Sequence, residues 1–313
     1  MNKKILLLCL FFTVTVICQN KRDHFIHDTI VNLNANLANN YNEDNFNKLL
    51  NSIEKLEKNY NTYEPEFRYH LLLQNAYKLN KIDFFKNQLS ILVEKYGFDV
   101  AYMSENESYY NAIMKGDLSF WFKEMYLEKH FIWLKNNFEK QIDLRKLNSL
   151  HEKDQLINTY SLSLDVRAKH DSIQHKKDRE LISIYSMRNA GELYTITQKY
   201  NAIPTGKTFA LVQNQYAIIE SHNLQLEDNY DRYYMLFFEY YKKAYLGNEI
   251  TYTIFSNFDF NSYVHKKKQK FGLITKQNVL ESYLTDKDKI CPDVIPIEDL
   301  EFSKKIKKEF KWY

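Results

Sequence analysis

Apolar residues recur every three to four positions through most of this chain, the spacing of helices that bury one side. Phe46, Leu49, Leu50, Ile53 and Leu56 form the first such stripe. Pro65 stands where a helix can begin, with Phe67, Leu71, Leu72 and Ala76 behind it. Asn80-Lys81-Ile82-Asp83 breaks the pattern, and Asp83 can cap the next helix. Phe85, Leu89, Leu92 and Val93 make up that helix, which ends near Gly97. Two such helices joined by a short link form a helical hairpin. Tyr63 to Tyr96 has the length of one tetratricopeptide-like unit, but the diagnostic Trp and Gly-Tyr positions are absent. Asp117 to Phe138 predicts a long helix rich in Phe, Trp and Leu, and its aromatic stripe is expected in the core.

No Pro- or Gly-rich linker divides the chain, so a boundary is placed near Gln141 on the change of pattern. Leu144 to Arg188 is polar and helical, with Leu147, Leu150, Ile157, Leu162 and Leu164 as its apolar positions. Leu193 and Ile196 continue one stripe up to a turn at Ala202-Ile203-Pro204-Thr205-Gly206. Phe209 to Ser221 predicts another helix, and the aromatic run Tyr230 to Leu246 closes at Gly247. Ile250, Tyr252 and Ile254 alternate as a strand would, yet Ile250 to Phe255 is expected helical. Tyr263 to Leu273 is expected to form a small β-hairpin-like element. Phe302, Ile306 and Phe310 mark a last helix studded with lysines. The expected fold is mainly α: helical hairpins over residues 19–141, tetratricopeptide-like at best, then a helical domain with a small β element over 142–313.

The N-terminus follows a different rule. Lys3 and Lys4 precede an unbroken apolar and small run from Ile5 to Cys18, and Gln19 to Asp23 turns abruptly polar. That is the layout of a secretory signal peptide over residues 1–18. A retained anchor competes with this account, but fourteen residues fall short of the ~20 a membrane span needs. Thr15-Val16-Ile17 lacks the small residue expected before a lipidated cysteine, which disfavours a lipoprotein at Cys18. The expectation is export, to a periplasm or outside the cell, with no transmembrane segment after signal removal. Removal takes Lys3 and Lys4 away and lowers the formal charge from +3 to +1, which gives no field for steering polyanions. It also takes Cys9 and Cys18, leaving Cys291 without a disulfide partner in the chain. Scarce Gly (6) and Pro (4) disfavour Gly-rich phosphate loops and tight-turned barrels.

The second half carries an ordered set of short motifs. They are Asp154-Gln155, then Asn189 with Leu193 and Ile196, then Pro204, and His222 after Ile218-Ile219-Glu220-Ser221. Asp259, Gln269-Lys270-Phe271-Gly272 and Pro296-Ile297-Glu298-Asp299 come after them. In order and spacing this set, over roughly 144–311, resembles an uncharacterised bacterial domain family, a domain of unknown function. The resemblance implies a domain and a candidate polar site at Asp154, Gln155, Asn189, His222, Asp259 and Gln269. Three positions depart from the family pattern. Asn158 stands where an Arg would follow Asp-Gln, Phe260 replaces the Arg beside Asp259, and Leu273 replaces a Thr. If those arginines bind an anion in relatives, as forked guanidinium groups suit, this chain has lost that capacity.

His222 ends an apolar helix, where it serves either as a general base or ligand, or simply as a cation favoured by the helix dipole. Asp154, Asp259 and Gln269 either converge on it as an acid/base cluster, or cap turns and bond backbone. His151-Glu152-Lys153-Asp154 lacks the second His of a zinc-protease helix, so no metal and no cofactor is expected. No Gly-x-Ser-x-Gly elbow is present. The basic tract His265 to Lys270 and the last helix's lysines are expected to be solvated, with no nucleic-acid partner. The functional expectation is a non-catalytic exported protein that binds a protein or small ligand. The alternative is a hydrolase-like enzyme built on His222, Asp154 and Asp259.

Overall fold

A computed structural model describes residues 21–100, 103, 105–167, 172–205, 209, 216–280 and 292–312. The expected signal segment 1–18 and Cys291 lie outside the described residues. Among the described residues the fold is mainly α and contains no strand. The chain forms two compact units, one from Ile26 to Ile250 and one built on Thr251 onward together with the residues before Ile26. Gln141, the expected boundary, starts a helix inside the larger unit.

In the larger unit, helix α1 (Glu43–Tyr60) buries Phe46, Leu49, Ile53 and Leu56. The Asn42 side chain caps it by accepting from the Asn45 N–H at 2.8 Å. Pro65 occupies the first turn of Pro65–Phe67, which runs on through a π-helical stretch, Arg68–Leu73, into Gln74–Lys78. That stretch carries the buried Arg68, whose guanidinium donates twice to Glu57, at 2.5 and 2.8 Å, and once to Gln88 at 2.7 Å. The forked contact to Glu57 fixes this segment against α1, and the bond to Gln88 joins the two arms of the hairpin. Helix α2 (Ile82–Tyr96) starts one residue before Asp83, which therefore lies in its first turn rather than capping it. Gly97 ends α2 at φ +57, and a Cβ there would stand 2.3 Å from the Trp133 ring. Only glycine permits both that backbone and that approach.

Helix α3 (Ser119–Asn136) packs on α2 and overturns one expectation. Phe122, Met125 and Trp133 are buried, but Phe120, Leu127 and Phe131 are 73%, 74% and 67% exposed. Successive helical residues are ~100° apart, so aromatics distributed around a helix cannot all enter one interface.

Helices α4 (Gln141–Arg167) and α5 (Ser172–Tyr200) form a long antiparallel pair. Helices α6 (Ala217–Gln225) and α7 (Glu227–Leu246) pack against it. The helix expected over Phe209 to Ser221 thus runs four residues further, while 210–215 lie outside the described residues. Tyr230, Tyr233, Phe237, Tyr241 and Ala244 form the buried face of α7 at spacings of three and four.

The smaller unit joins α8 (Thr253–Lys266) to α9 (Leu300–Phe310) around Phe255, Phe271, Phe310 and Trp312. The Phe255 ring centroid lies 5.0 Å from that of Phe310 and 5.4 Å from that of Trp312. Helix α8 starts at Thr253, three residues after the expected Ile250. Asp299 caps α9 by accepting from the Phe302 N–H. The expected β-hairpin over Tyr263 to Leu273 is absent, and one isolated parallel bridge, Gln269 to Ile297, stands in its place. The cause is local. Asp259 takes the N–H groups of Lys270, Phe271 and Leu273, which a hairpin partner would otherwise use.

Candidate functional site: a buried carboxylate behind a half-open imidazole

Asp154 lies on the same face of α4 as Leu147 and Leu150, at spacings of three and four. Those two leucines are 1% and 0% exposed, and so Asp154 is carried into the core at 0%. An isolated carboxylate there is costly, and it needs a partner. The partner comes from α6. His222 Nδ1 lies 2.5 Å from Asp154 Oδ2. A carboxylate only accepts, so Nδ1 carries the proton and Nε2 is left for other business. Asp154 Oδ1 makes no hydrogen bond.

Helix α6 is short, yet it buries polar side chains in several directions. Glu220 accepts from the Tyr241 hydroxyl at 2.6 Å, and Tyr241 shares a 2.9 Å hydrogen bond with Tyr233. Burial, then the Glu220 carboxylate, holds both tyrosines well above the usual phenol range. Asn223 donates to the backbone carbonyls of Ile219 and Ser186, at 2.8 and 3.2 Å. Asn229 completes this seam by donating to the Ser183 carbonyl and to Asn223 Oδ1. These bonds fix the rotation of α6 about its axis, and with it the direction of His222.

His222 lines a cleft of about 290 Å³ between α4, α5 and α6. Ile157, Asn158 and Ser161 come from α4, Arg179, Ile182 and Ser186 from α5, and Gln225 and Leu226 close it beside His222. Arg179 Nη1 donates to Ser161 Oγ at 3.2 Å. The motif pattern implies a guanidinium lost at Asn158. Asn158 does line the cleft, but Arg179 supplies a guanidinium to the same space. Nothing in the local pattern singles out Arg179, since one cation among several, close after Lys176 and Lys177 on a polar helix, reads as solvated surface.

The other candidates go elsewhere. Asn189, buried on α5, donates to the Leu150 carbonyl at 3.5 Å and ties α5 to α4. Gln155 follows Asp154 on α4, and its Nε2 makes no hydrogen bond. Asp259 and Gln269 belong to the smaller unit. Asp259 Oδ1 accepts from the Lys270 and Phe271 N–H groups and Oδ2 from that of Leu273, each at 2.7 Å. Burial pushes its carboxyl up to about 6, against these backbone donors, which pull it down. Gln269 donates to the Ile295 carbonyl and accepts from the Ile274 N–H, both at 3.1 Å.

Among the described residues no group of three or more His, Cys, Asp and Glu is placed to hold a metal ion. Among them, too, no helix is long and apolar enough to cross a membrane. No family model, no curated protein and no solved structure matches this chain.

Proposed function

We propose that this chain is an exported ligand-binding protein, and that the cleft beside His222 takes a small polar molecule carrying an anionic group. One observation carries the reading. A fully buried carboxylate is spent on orienting a single imidazole that opens onto a polar cleft with a guanidinium in it. The Arg179 guanidinium and the amide groups of Asn158 and Gln225 are donors that match a carboxylate or phosphate, and His222 adds an Nε2–H when the ring takes up a second proton beside Asp154. Two of the candidate residues named from the chain, Asp154 and His222, meet here.

An acid/base enzyme is the second reading, and the same pair favours it: a carboxylate fixing Nδ1 leaves Nε2 to move a proton. Ser161 already accepts from Arg179, and no hydroxyl is seen bonded to His222 among the described residues. A nucleophile held by its base is therefore missing from the picture, which is why binding ranks first.

The test is a thermal-shift titration of the wild type and of His222→Gln with inorganic phosphate, citrate and glutarate. At least one anion is expected to raise the wild-type melting temperature saturably and to leave the variant unmoved. Equal responses in both proteins would place the anion elsewhere and sink the reading.

A further inference from the structure

We infer that the exposed face of α3 is a homodimer interface in which two copies of this chain pair their α3 helices antiparallel. This inference is independent of the cleft. Phe120, Leu127 and Phe131 are spaced seven and four apart, which puts them on one side of α3, and Phe138 lies in the next turn. The four are 73%, 74%, 67% and 72% exposed. Buried aromatic side chains cover ~150–250 Å² each, so four large apolar groups left about three-quarters open present ~600 Å² of apolar surface. Monomers seldom expose a contiguous apolar patch of that size unless it is used. A standard interface buries ~800 Å² per partner, a little over half of it apolar, so this face alone supplies the apolar share.

The charges name the occupant. Glu124 and Lys135 are exposed and lie about three turns apart on the same flank of the stripe. A two-fold axis perpendicular to α3 near residue 129 keeps each flank against its own symmetry mate and reverses direction along the helix. Leu127 of one copy then stands level with Phe131 of the other. Glu124 comes within about one residue's rise of Lys135 across the axis, and symmetry makes that pair twice. In this antiparallel orientation the stripe is self-complementary in its apolar positions and in this charge pair.

Sedimentation velocity on the purified protein across about 1–100 µM tests this. A dimer is expected, and Leu127→Asp with Phe131→Asp is expected to leave a monomer with an unchanged helical spectrum and a cooperative melt that no longer depends on protein concentration. Glu124→Lys alone and Lys135→Glu alone are each expected to weaken the dimer by about tenfold, and the two together to recover to within about threefold of the wild type. A wild type that stays monomeric throughout would overturn the inference. So would a dimer indifferent to the aspartates, or a double charge reversal no tighter than the single ones.

Discussion

Two buried aspartates in this molecule have the same solvent exposure and opposite surroundings. Asp259 and Asp154 are both 0% exposed. Both carboxylate oxygens of Asp259 are occupied, by the N–H groups of residues 270, 271 and 273. It organises a turn and has no capacity left. Asp154 has one partner, the side chain of His222, and one oxygen without any. Burial alone therefore does not separate an architectural carboxylate from one kept for a site. The partner does: backbone amides cannot leave, whereas a side chain facing a cleft can serve a second molecule.

The comparison predicts unequal costs, which chemical denaturation would measure. Asp259→Ala strands three backbone N–H groups in an apolar turn, and at ~1–3 kcal/mol for each unsatisfied group the loss is about 4 kcal/mol or more. A change under about 1 kcal/mol would show that the turn does not depend on this carboxylate. His222→Ala leaves Asp154 as an unpaired buried charge, so a loss of about 3 kcal/mol is expected. A shift under about 0.5 kcal/mol would show His222 to be merely a solvated helix end.

The pH profile has a definite sign. A carboxyl raised from 3.8 to about 6 by the fold keeps its proton where the unfolded chain has lost it. The stability this contributes is complete below about 3.8 and is lost as pH rises through about 6, by up to ~3 kcal/mol. Asp259→Asn should flatten that stretch of the curve, and a slope unchanged in the variant would assign it to another group.

The smallest change in stability is expected from Asp154→Leu, which completes the leucine face of α4. The change removes a fully buried carboxylate and its desolvation cost, and the imidazole left behind is 17% exposed, so it can stay neutral and turn to water. Stability should hold within about 1 kcal/mol or rise, while anion binding at the cleft is lost. A large loss of stability would move Asp154 into the architectural class with Asp259.

Much of this was legible in the chain. The stripes of α1 and α2, the proline that opens Pro65–Phe67 and the glycine that ends α2 are local signals, and the structure forms those helices where the stripes lie. Asp154 and His222 were legible as candidates from their motif positions, which leave convergence and separate capping both open, and the structure joins these two. Three features were not. The side chains of α3 that face outward depend on which neighbours reach it, which no local spacing encodes. Arg179 enters the cleft only because α5 lies against α4. The hairpin expected at Tyr263 to Leu273 fails because a side chain on the preceding helix takes the backbone donors first. Each is a tertiary override of a local pattern.

The contrast between the two aspartates is tested most directly at the ring nitrogens of His222, by long-range proton–nitrogen NMR during titration with inorganic phosphate and citrate. The account predicts a proton on Nδ1, held by Asp154, and an Nε2 resonance that shifts saturably with at least one anion and ceases to do so in Asp154→Leu. A bare Nδ1, with neither nitrogen responding to either anion, would contradict it.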